Sequence, residues 1–192
     1  MAAMNSTTDK QEAIMKKLGI DIGRVLIAPD AADGKADTSF IGGSLEAALA
    51  TPPYEGMFEA VPVLVELFKG QVWLVSKAGP RVQDKTRHWL RHHAFFERTG
   101  IAPDSLRFCL ERPQKAQHCR ELAITHFIDD RLDVLMHLEG VVPNRFLFGP
   151  QRKVQSSPGV IPILWWAHAC AAVGATFADA VADEPRVSVG CE

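Results

Sequence analysis

Several side chains that could hold a metal ion and a phosphate group fall at equivalent places between predicted strands and helices. Asp21 follows Leu-Gly-Ile, Ser76 follows Val-Trp-Leu-Val, Lys115 opens a predicted helix, and the pair Asp129-Asp130 follows His-Phe-Ile. Carboxylates are ligands that Mg²⁺ prefers, whereas a hydroxyl and an ammonium group can hold phosphoryl oxygens. These residue types therefore indicate chemistry on a phosphorylated compound, provided that the fold brings them together.

Each of these residues alone has a purely structural explanation. Asp21 could close a turn after its strand, Ser76 could bond backbone amides, and Asp130 could cap the helix that follows it. Lys115 alone could be a solvated helix charge. The functional hypothesis depends on the combination, because groups of opposite charge would converge at the edge where open α/β sheets bind their ligands.

Five short apolar segments rich in β-branched residues predict the sheet that positions these groups. Polar and apolar residues do not alternate along them, which is typical of parallel strands covered by helices on both faces. We therefore predict a Rossmann-like, doubly wound α/β fold in which strands and helices alternate and each crossover is right-handed. The segments are residues 18–20, 72–75, 106–110, 126–128 and 145–148.

Proline marks the predicted starts of the helices. Pro62, Pro80 and Pro113 each stand where a first helical residue would tolerate the loss of its N–H. Pro162 predicts in the same way the start of a buried C-terminal helix. Residues 159–178 have the length of a membrane span and no formal charge apart from neutral His168, but their apolarity is mostly alanine, which favours the buried helix.

The predicted domain organisation is a single core with additions at three places. We predict that residues 1–17 form a disordered leader and that residues 18–150 form the core. Residues 151–192 are expected to form a linker, a C-terminal helix and a tail. An insertion at about residues 28–60 is longer than a normal connection after a strand. We predict that it forms a small lid over the site, although a merely flexible insertion is the alternative.

Composition narrows the class of protein. The formal net charge is -2 and the pI is about 6.4, so no basic footprint for nucleic acid is visible. The four cysteines form no Cys-x-x-Cys pair, and the first residues lack an apolar signal segment. We therefore predict a cytoplasmic protein that binds neither nucleic acid nor a membrane.

Two other patterns have structural explanations that we prefer. His88 and His92 are spaced as zinc ligands on a helix can be, but no third ligand accompanies them, so a solvated basic face is favoured. Trp165 and Trp166 are expected to anchor the last helix to the core, although an exposed pair could also mark a partner surface.

The residues first named above carry a family resemblance. In their order along the chain, the segments with Asp21, Ser76, Lys115 and the Asp129-Asp130 pair resemble the signature motifs of the haloacid dehalogenase (HAD) superfamily, most of whose members are phosphatases. The resemblance covers about residues 18–150. The Ile-Asp-Ile start, the short insertion, the strand with Ser76 and the Ile-Asp-Asp-Arg run are most similar to the 5'(3')-deoxyribonucleotidases and related groups with small caps.

The resemblance implies a role for each acidic residue. Asp21 would attack phosphorus and form an aspartyl-phosphate that water then hydrolyses. Mg²⁺ would bind Asp21, the backbone carbonyl of Gly23 and Asp130. Asp129 would complete the metal site by orienting waters on the ion, with Asp133 as a further candidate for that role.

The resemblance also implies how a substrate would be held. Ser76, Lys77 and Lys115 would bind the phosphoryl oxygens of a small phosphorylated metabolite, such as a nucleotide. A lid of this length cannot enclose a site as a full cap domain would, so a larger substrate or a second copy of the chain could complete the pocket.

One departure from the family pattern bears directly on activity. The usual motif is Asp-x-Asp-Gly, and its second Asp protonates the leaving oxygen and later activates water, whereas this chain has Gly23 and Arg24 at those positions. General acid–base help is typically worth about 10² to 10⁴ in rate. The leading hypothesis is a Mg²⁺-dependent phosphatase, and the alternative is a binding or regulatory protein that has lost turnover.

Overall fold

The computed structural model describes residues 15–29, 38–151 and 157–182 of the 192-residue chain. Six parallel strands form one sheet in the order β3-β2-β1-β4-β5-β6. This confirms the predicted Rossmann-like α/β fold and adds a sixth strand that was not predicted. The strands are β1 (Leu18–Ile20), β2 (Val72–Lys77), β3 (Leu106–Cys109), β4 (His126–Asp129), β5 (Asn144–Phe148) and β6 (Val160–Ile163).

Helices cover both faces of this sheet. One face packs against α5 and α6, through a core that includes Val75, Phe127 and Leu147. The other packs against the remaining long helices, through Leu18, Ile20 and further residues. The α-helices are α1 (Leu45–Ala50), α2 (Met57–Leu67), α3 (Pro80–His92), α4 (Phe95–Thr99), α5 (Lys115–Glu121), α6 (Leu132–His137) and α7 (Trp166–Ala182), with 3₁₀ turns at Pro103–Ser105 and Arg112–Gln114 and a π-helix at Thr38–Gly42.

The strand order places the first and fourth strands side by side. After β1 the chain builds β2 and β3 on one side, and then returns to build β4, β5 and β6 on the other side. The register pairs Ile20 with Ile128, so Asp21 and Asp129 leave the sheet next to each other. A crevice at such a reversal of strand order is where α/β sheets commonly bind ligands.

Proline predicted the start of only one helix correctly. α3 begins at Pro80 as expected, but Pro113 lies in a 3₁₀ turn. Pro62 lies inside α2, which begins five residues earlier at Met57 after Gly56 in the left-handed conformation (φ 75°). Pro62 is the sixth residue of α2, so it removes the N–H that would otherwise donate to the Phe58 carbonyl, and α2 continues past it to Leu67.

The prediction that the C-terminal helix starts at Pro162 was wrong. Pro162 lies in β6, and α7 begins at Trp166. β6 pairs only with β5 in the described sheet and is therefore an edge strand, where the missing N–H of a proline can face away from the ladder. The indole of Trp166 is buried and donates a hydrogen bond to the Val25 carbonyl (3.0 Å), whereas Trp165 is 55% exposed, so only one of the two tryptophans anchors the helix.

The described part of the insertion packs against α3. The ammonium group of Lys85, which is only 4% exposed, donates hydrogen bonds to three backbone carbonyls of the insertion. They belong to Phe40 (3.0 Å), Ile41 (3.2 Å) and Gly43 (2.6 Å). Trp89, one turn further along α3, donates to the Thr51 carbonyl (2.7 Å). These bonds hold residues 38–51 at the carboxyl edge of the sheet.

Both ends of the chain extend beyond the described residues. The predicted leader lies outside the described residues up to position 14, and the backbone N–H of Lys17 bonds the Thr125 hydroxyl (2.8 Å). The tail after residue 182 is also outside the described residues. Across the described ranges, no helix has both the length and the apolarity that a membrane crossing requires.

Candidate functional site

Three carboxylates meet at the carboxyl ends of β1 and β4. Asp21 directly follows β1, and its backbone N–H donates to the Ile128 carbonyl (2.9 Å), which extends the pairing of the two strands. Asp129 is the last residue of β4, and Asp130 follows it. Oxygen atoms of the three side chains lie within 4.8 Å of one another. The sequence prediction that these residues come together is therefore correct in its geometry.

Lys115 joins two of these carboxylates. It is the first residue of α5, and its Nζ lies 2.7 Å from Asp21 Oδ1 and 2.7 Å from Asp129 Oδ2. The lysine and Asp129 side chains are almost completely buried. Burial alone would lower the pKa of Lys115, but the adjacent Asp129 and Asp21 carboxylates raise it above its usual value, so the ammonium stays charged.

One ammonium group does not neutralise this cluster. Burial and the neighbouring carboxylates raise the pKa of Asp130 well above its usual range, and Arg24 at 3.5 Å only partly offsets this effect. Burial also raises the pKa of Asp129, although Lys115 and the backbone N–H of Arg131 (3.0 Å to Oδ1) act in the opposite direction. The site therefore carries an excess of negative charge that a further cation would relieve.

The donor set fits Mg²⁺. The cluster offers carboxylate oxygens, and Mg²⁺ takes one or two protein carboxylates while keeping several waters. Asp21 and Asp130 are the residues that would hold the ion, and Gly23, which lines the same pocket, could add its backbone carbonyl. Asp129 already accepts hydrogen bonds from Lys115 and Arg131, which suits it to orient the groups around the ion without binding the ion directly.

Removing the charge of Asp130 should stabilise the metal-free protein. We expect Asp130→Asn to raise the free energy of unfolding by about 1 to 3 kcal/mol in chelator at pH 8, because an ionised, poorly compensated buried carboxylate is lost. A carboxyl whose pKa is raised by folding destabilises the fold above its ordinary pKa, so the gain should shrink as the pH falls towards 4.

Denaturant unfolding with and without Mg²⁺ measures both effects. Mg²⁺ should stabilise the wild-type protein, and this shift should be lost in Asp130→Asn. Asp84→Asn is the matched control, since the Asp84 side chain is 72% exposed on α3. Equal Mg²⁺ stabilisation of wild type and Asp130→Asn would contradict the metal assignment.

The predicted phosphate-binding residues line one pocket with the carboxylates. Ser76 lies within β2, one residue before its end, and Lys77 ends the strand. Both line a pocket of about 200 Å³ that also includes Asp21 and Lys115. Phe40 and Ile41, from the insertion that Lys85 holds, form part of its wall. The arrangement brings together a carboxylate, a hydroxyl and two ammonium groups, and their roles in binding stay predictions.

The turn after β1 carries the departure from the expected motif. The Ile22 carbonyl accepts from the backbone N–H groups of Leu26 (2.9 Å) and Ile27 (3.1 Å), which closes a tight turn over Gly23. A Cβ placed on Gly23 would meet no atom within 4 Å. Arg24 has a left-handed backbone (φ 59°) and turns its guanidinium towards Asp130. The Cβ of a larger residue at position 23 would therefore be accommodated sterically.

Asp133 has another environment than the sequence suggested. Its carboxylate accepts a hydrogen bond from Arg131 Nε (3.0 Å) and lies 3.8 Å from Arg112 Nη1, and it is absent from the carboxylate cluster.

Two structural alternatives from the sequence have different outcomes. The alternative that Asp130 caps a helix was wrong, because the cap position of α6 is Arg131. His88 lies 3.7 Å from the exposed Asp84, as expected for a solvated helix face.

Sequence reasoning missed two arginines that line the pocket, Arg112 and Arg131. Each lies just beyond the carboxyl end of a strand, β3 for Arg112 and β4 for Arg131. That position was the signal by which they could have been found, since strand ends meet at the site. The buried Lys85 gave no such signal, because its partners are backbone carbonyls of the insertion, which any residue type supplies.

Comparisons with known proteins bear on the fold. No family model matches the chain, and no curated protein matches it. A solved structure, a haloacid dehalogenase-like family hydrolase from Xanthomonas campestris, is 16% identical over 88% of this chain and 99% of that chain, with a TM-score of 0.60. At 16% identity the likeness shows a shared fold alone. The chain thus shares the parallel α/β fold of this structure.

Proposed function

We propose that this chain is a Mg²⁺-dependent phosphatase of the HAD type, with Asp21 as its nucleophile. The observation that carries the proposal is the buried Lys115, 2.7 Å from both Asp21 and Asp129, beside a three-carboxylate cluster in a pocket at the sheet edge. The substrate would be a small phosphomonoester. Within the superfamily we propose a small-cap group similar to the 5'(3')-deoxyribonucleotidases, which makes nucleoside monophosphates one class to test.

The reaction would proceed in two displacements at phosphorus. A carboxylate oxygen of Asp21 forms a bond to phosphorus while the bond to the leaving oxygen breaks and that oxygen takes the electron pair. Water then attacks the same phosphorus, the bond to Asp21 breaks, and the free carboxylate returns. Over both steps one proton of the water ends on the leaving oxygen and the other stays with phosphate.

The residues around Asp21 would position it and lower the charge repulsion. Lys115 fixes one oxygen of Asp21 and places a buried positive charge where an anionic substrate must approach. Ser76 and Lys77 would donate to the phosphoryl oxygens. A bound Mg²⁺, held by Asp21 and Asp130, would supply electrostatic stabilisation of the charge on the transferring group.

The missing general acid favours particular leaving groups. The carboxyl groups that line the pocket in the described residues are Asp21 and Asp130, and the proposal assigns both to other tasks. The leaving groups of acyl phosphates, sugar-1-phosphates and aryl phosphates depart with less need of a proton. Gly23 also favours a second candidate function, a protein that binds Mg²⁺ and phosphate but has lost turnover.

A panel of phosphomonoesters tests the proposal. Phosphate release should require Mg²⁺, stop in chelator, and be faster for p-nitrophenyl phosphate and acyl phosphates than for nucleoside monophosphates and alkyl phosphates. Calorimetry with Mg²⁺ and inorganic phosphate gives the second measurement. Binding without release from any substrate would support the non-catalytic candidate, and release that is unaffected by chelator would contradict the role of the metal.

A further inference from the structure

Two arginines from different elements are paired at the wall of the pocket. Arg131 follows Asp130, and its Nε and Nη2 atoms lie 3.0 Å and 3.4 Å from the two oxygens of Asp133. Arg112 begins the 3₁₀ turn after β3, and its Nη1 lies 3.8 Å from Asp133 Oδ2. Asp133 thus holds both guanidinium groups on the same side of the pocket. We call Arg112 and Arg131 the arginine pair.

The arginine pair retains binding capacity. A guanidinium has five N–H donors. Asp133 accepts hydrogen bonds from two donors of Arg131, and it forms only a 3.8 Å ion pair with Arg112. The side chains of Arg112 and Arg131 are 44% and 37% exposed, so a ligand in the pocket can reach them. Although partial burial opposes it, hydrogen bonding and charge from these arginines lower the pKa of Asp133, so one negative charge faces two positive ones at neutral pH.

The arginine pair carries more charge than its carboxylate partner. Among the described residues, the side chains of Arg112 and Arg131 share one carboxylate, that of Asp133. One positive charge therefore stays uncompensated at this wall of the pocket.

We infer that the arginine pair forms a subsite for a second anionic group, a carboxylate or another phosphate, on the same small substrate whose phosphoryl group lies at Asp21. Guanidinium groups bind planar carboxylates and phosphates through two parallel hydrogen bonds, which gives both affinity and orientation. This inference rests on the proposed function for the position of the first phosphoryl group. It narrows the substrates to phosphomonoesters that carry two anionic groups.

Two phosphonates of similar size, which cannot be hydrolysed, test the subsite without turnover. Ethylphosphonate carries one anionic group, and phosphonoacetate carries a carboxylate in addition. By calorimetry in excess Mg²⁺, we expect phosphonoacetate to bind at least about tenfold more tightly than ethylphosphonate to the full chain. Methylenebisphosphonate replaces the carboxylate by a second phosphonate and shows which of the two groups the subsite prefers.

Variants of the arginine pair locate the effect. In Arg112→Met and in Arg131→Met the preference for phosphonoacetate should fall to about threefold or less, with ethylphosphonate binding little changed. Arg131→Lys keeps the charge without the fork and should give an intermediate preference. Arg120→Met, an exposed arginine of α5, is the matched control and should keep the wild-type preference.

The outcomes separate the two proposals. Equal binding of the two phosphonates to wild type, or a preference that both methionine variants retain, overturns the subsite and leaves the proposed function intact. Failure of both phosphonates to bind in Mg²⁺ overturns the phosphoryl site at Asp21, and the subsite falls with it. Circular dichroism melts of each variant show whether a change in binding reflects a change in folding.

Discussion

Replacing Asp21 by asparagine should lower Mg²⁺-dependent phosphate release by at least about 10⁴-fold, which is the scale on which enzymes lose turnover when a nucleophile is removed. An amide oxygen is a far weaker nucleophile than a carboxylate, and an amide cannot return unchanged from an acyl-phosphate intermediate. The protein should stay folded, because Lys115 keeps its 2.7 Å contact with Asp129. Steady-state release of phosphate from p-nitrophenyl phosphate measures the effect.

The control for Asp21→Asn is the same substitution at a distant place. Asp84→Asn changes the same functional group on the exposed face of α3 and should keep the wild-type rate. Circular dichroism melts of Asp21→Asn show whether the variant stays folded. A wild-type rate in Asp21→Asn would mean that another group attacks phosphorus, and the covalent mechanism would then be wrong.

The positions of Asp21, Asp129 and Asp130 could be predicted because parallel strands impose them. Each strand that is buried on both faces gives a continuous apolar run, and the residue after the run is at the carboxyl edge of the sheet. The polar residues therefore appeared in the sequence at strand ends, although they are far apart along the chain. The 2.7 Å bonds of Lys115 to both aspartates could not be predicted, since they depend on how α5 packs on the sheet.

Two features that the sequence did not reveal, β6 and the burial of Lys85, have no periodic or positional signal. β6 has four residues and contains Pro162, a composition that also suits the start of a helix, and only its pairing with β5 decides between them. No sequence pattern indicated that Lys85 of α3 would be buried. Its ammonium is buried because three carbonyls of the insertion, 42 to 45 positions earlier, accept hydrogen bonds from it.

The turn that contains Gly23 allows a substitution that would change the rate of phosphate release without changing the fold. The turn that follows β1 is held by backbone bonds to the Ile22 carbonyl, so its shape does not depend on a side chain at position 23. A substitution there should therefore change chemistry more than folding. Arg24, which lies 3.5 Å from Asp130, is the nearest cation in sequence to any group introduced at that position.

Restoring a carboxyl group by Gly23→Asp should raise turnover of substrates with poor leaving groups by about 10² to 10⁴, the usual contribution of a general acid or base. The first atom of the introduced side chain has room, because a Cβ at position 23 meets no atom within 4 Å. The gain should be large for alkyl phosphates and nucleoside monophosphates and small for p-nitrophenyl phosphate, whose leaving oxygen needs no proton. The ratio of the two rates is the measurement.

Gly23→Asn is the control for Gly23→Asp, because it has the same shape and cannot donate or accept a proton in the same way. If the asparagine variant gains as much as the aspartate variant, the effect comes from packing or orientation and the acid–base explanation is wrong. Arg24 could bind the introduced carboxylate and keep it ionised, so the double variant Gly23→Asp/Arg24→Gly is measured as well. Glycine suits the left-handed backbone of position 24, and a gain confined to the double variant would identify Arg24 as the group that suppresses proton transfer.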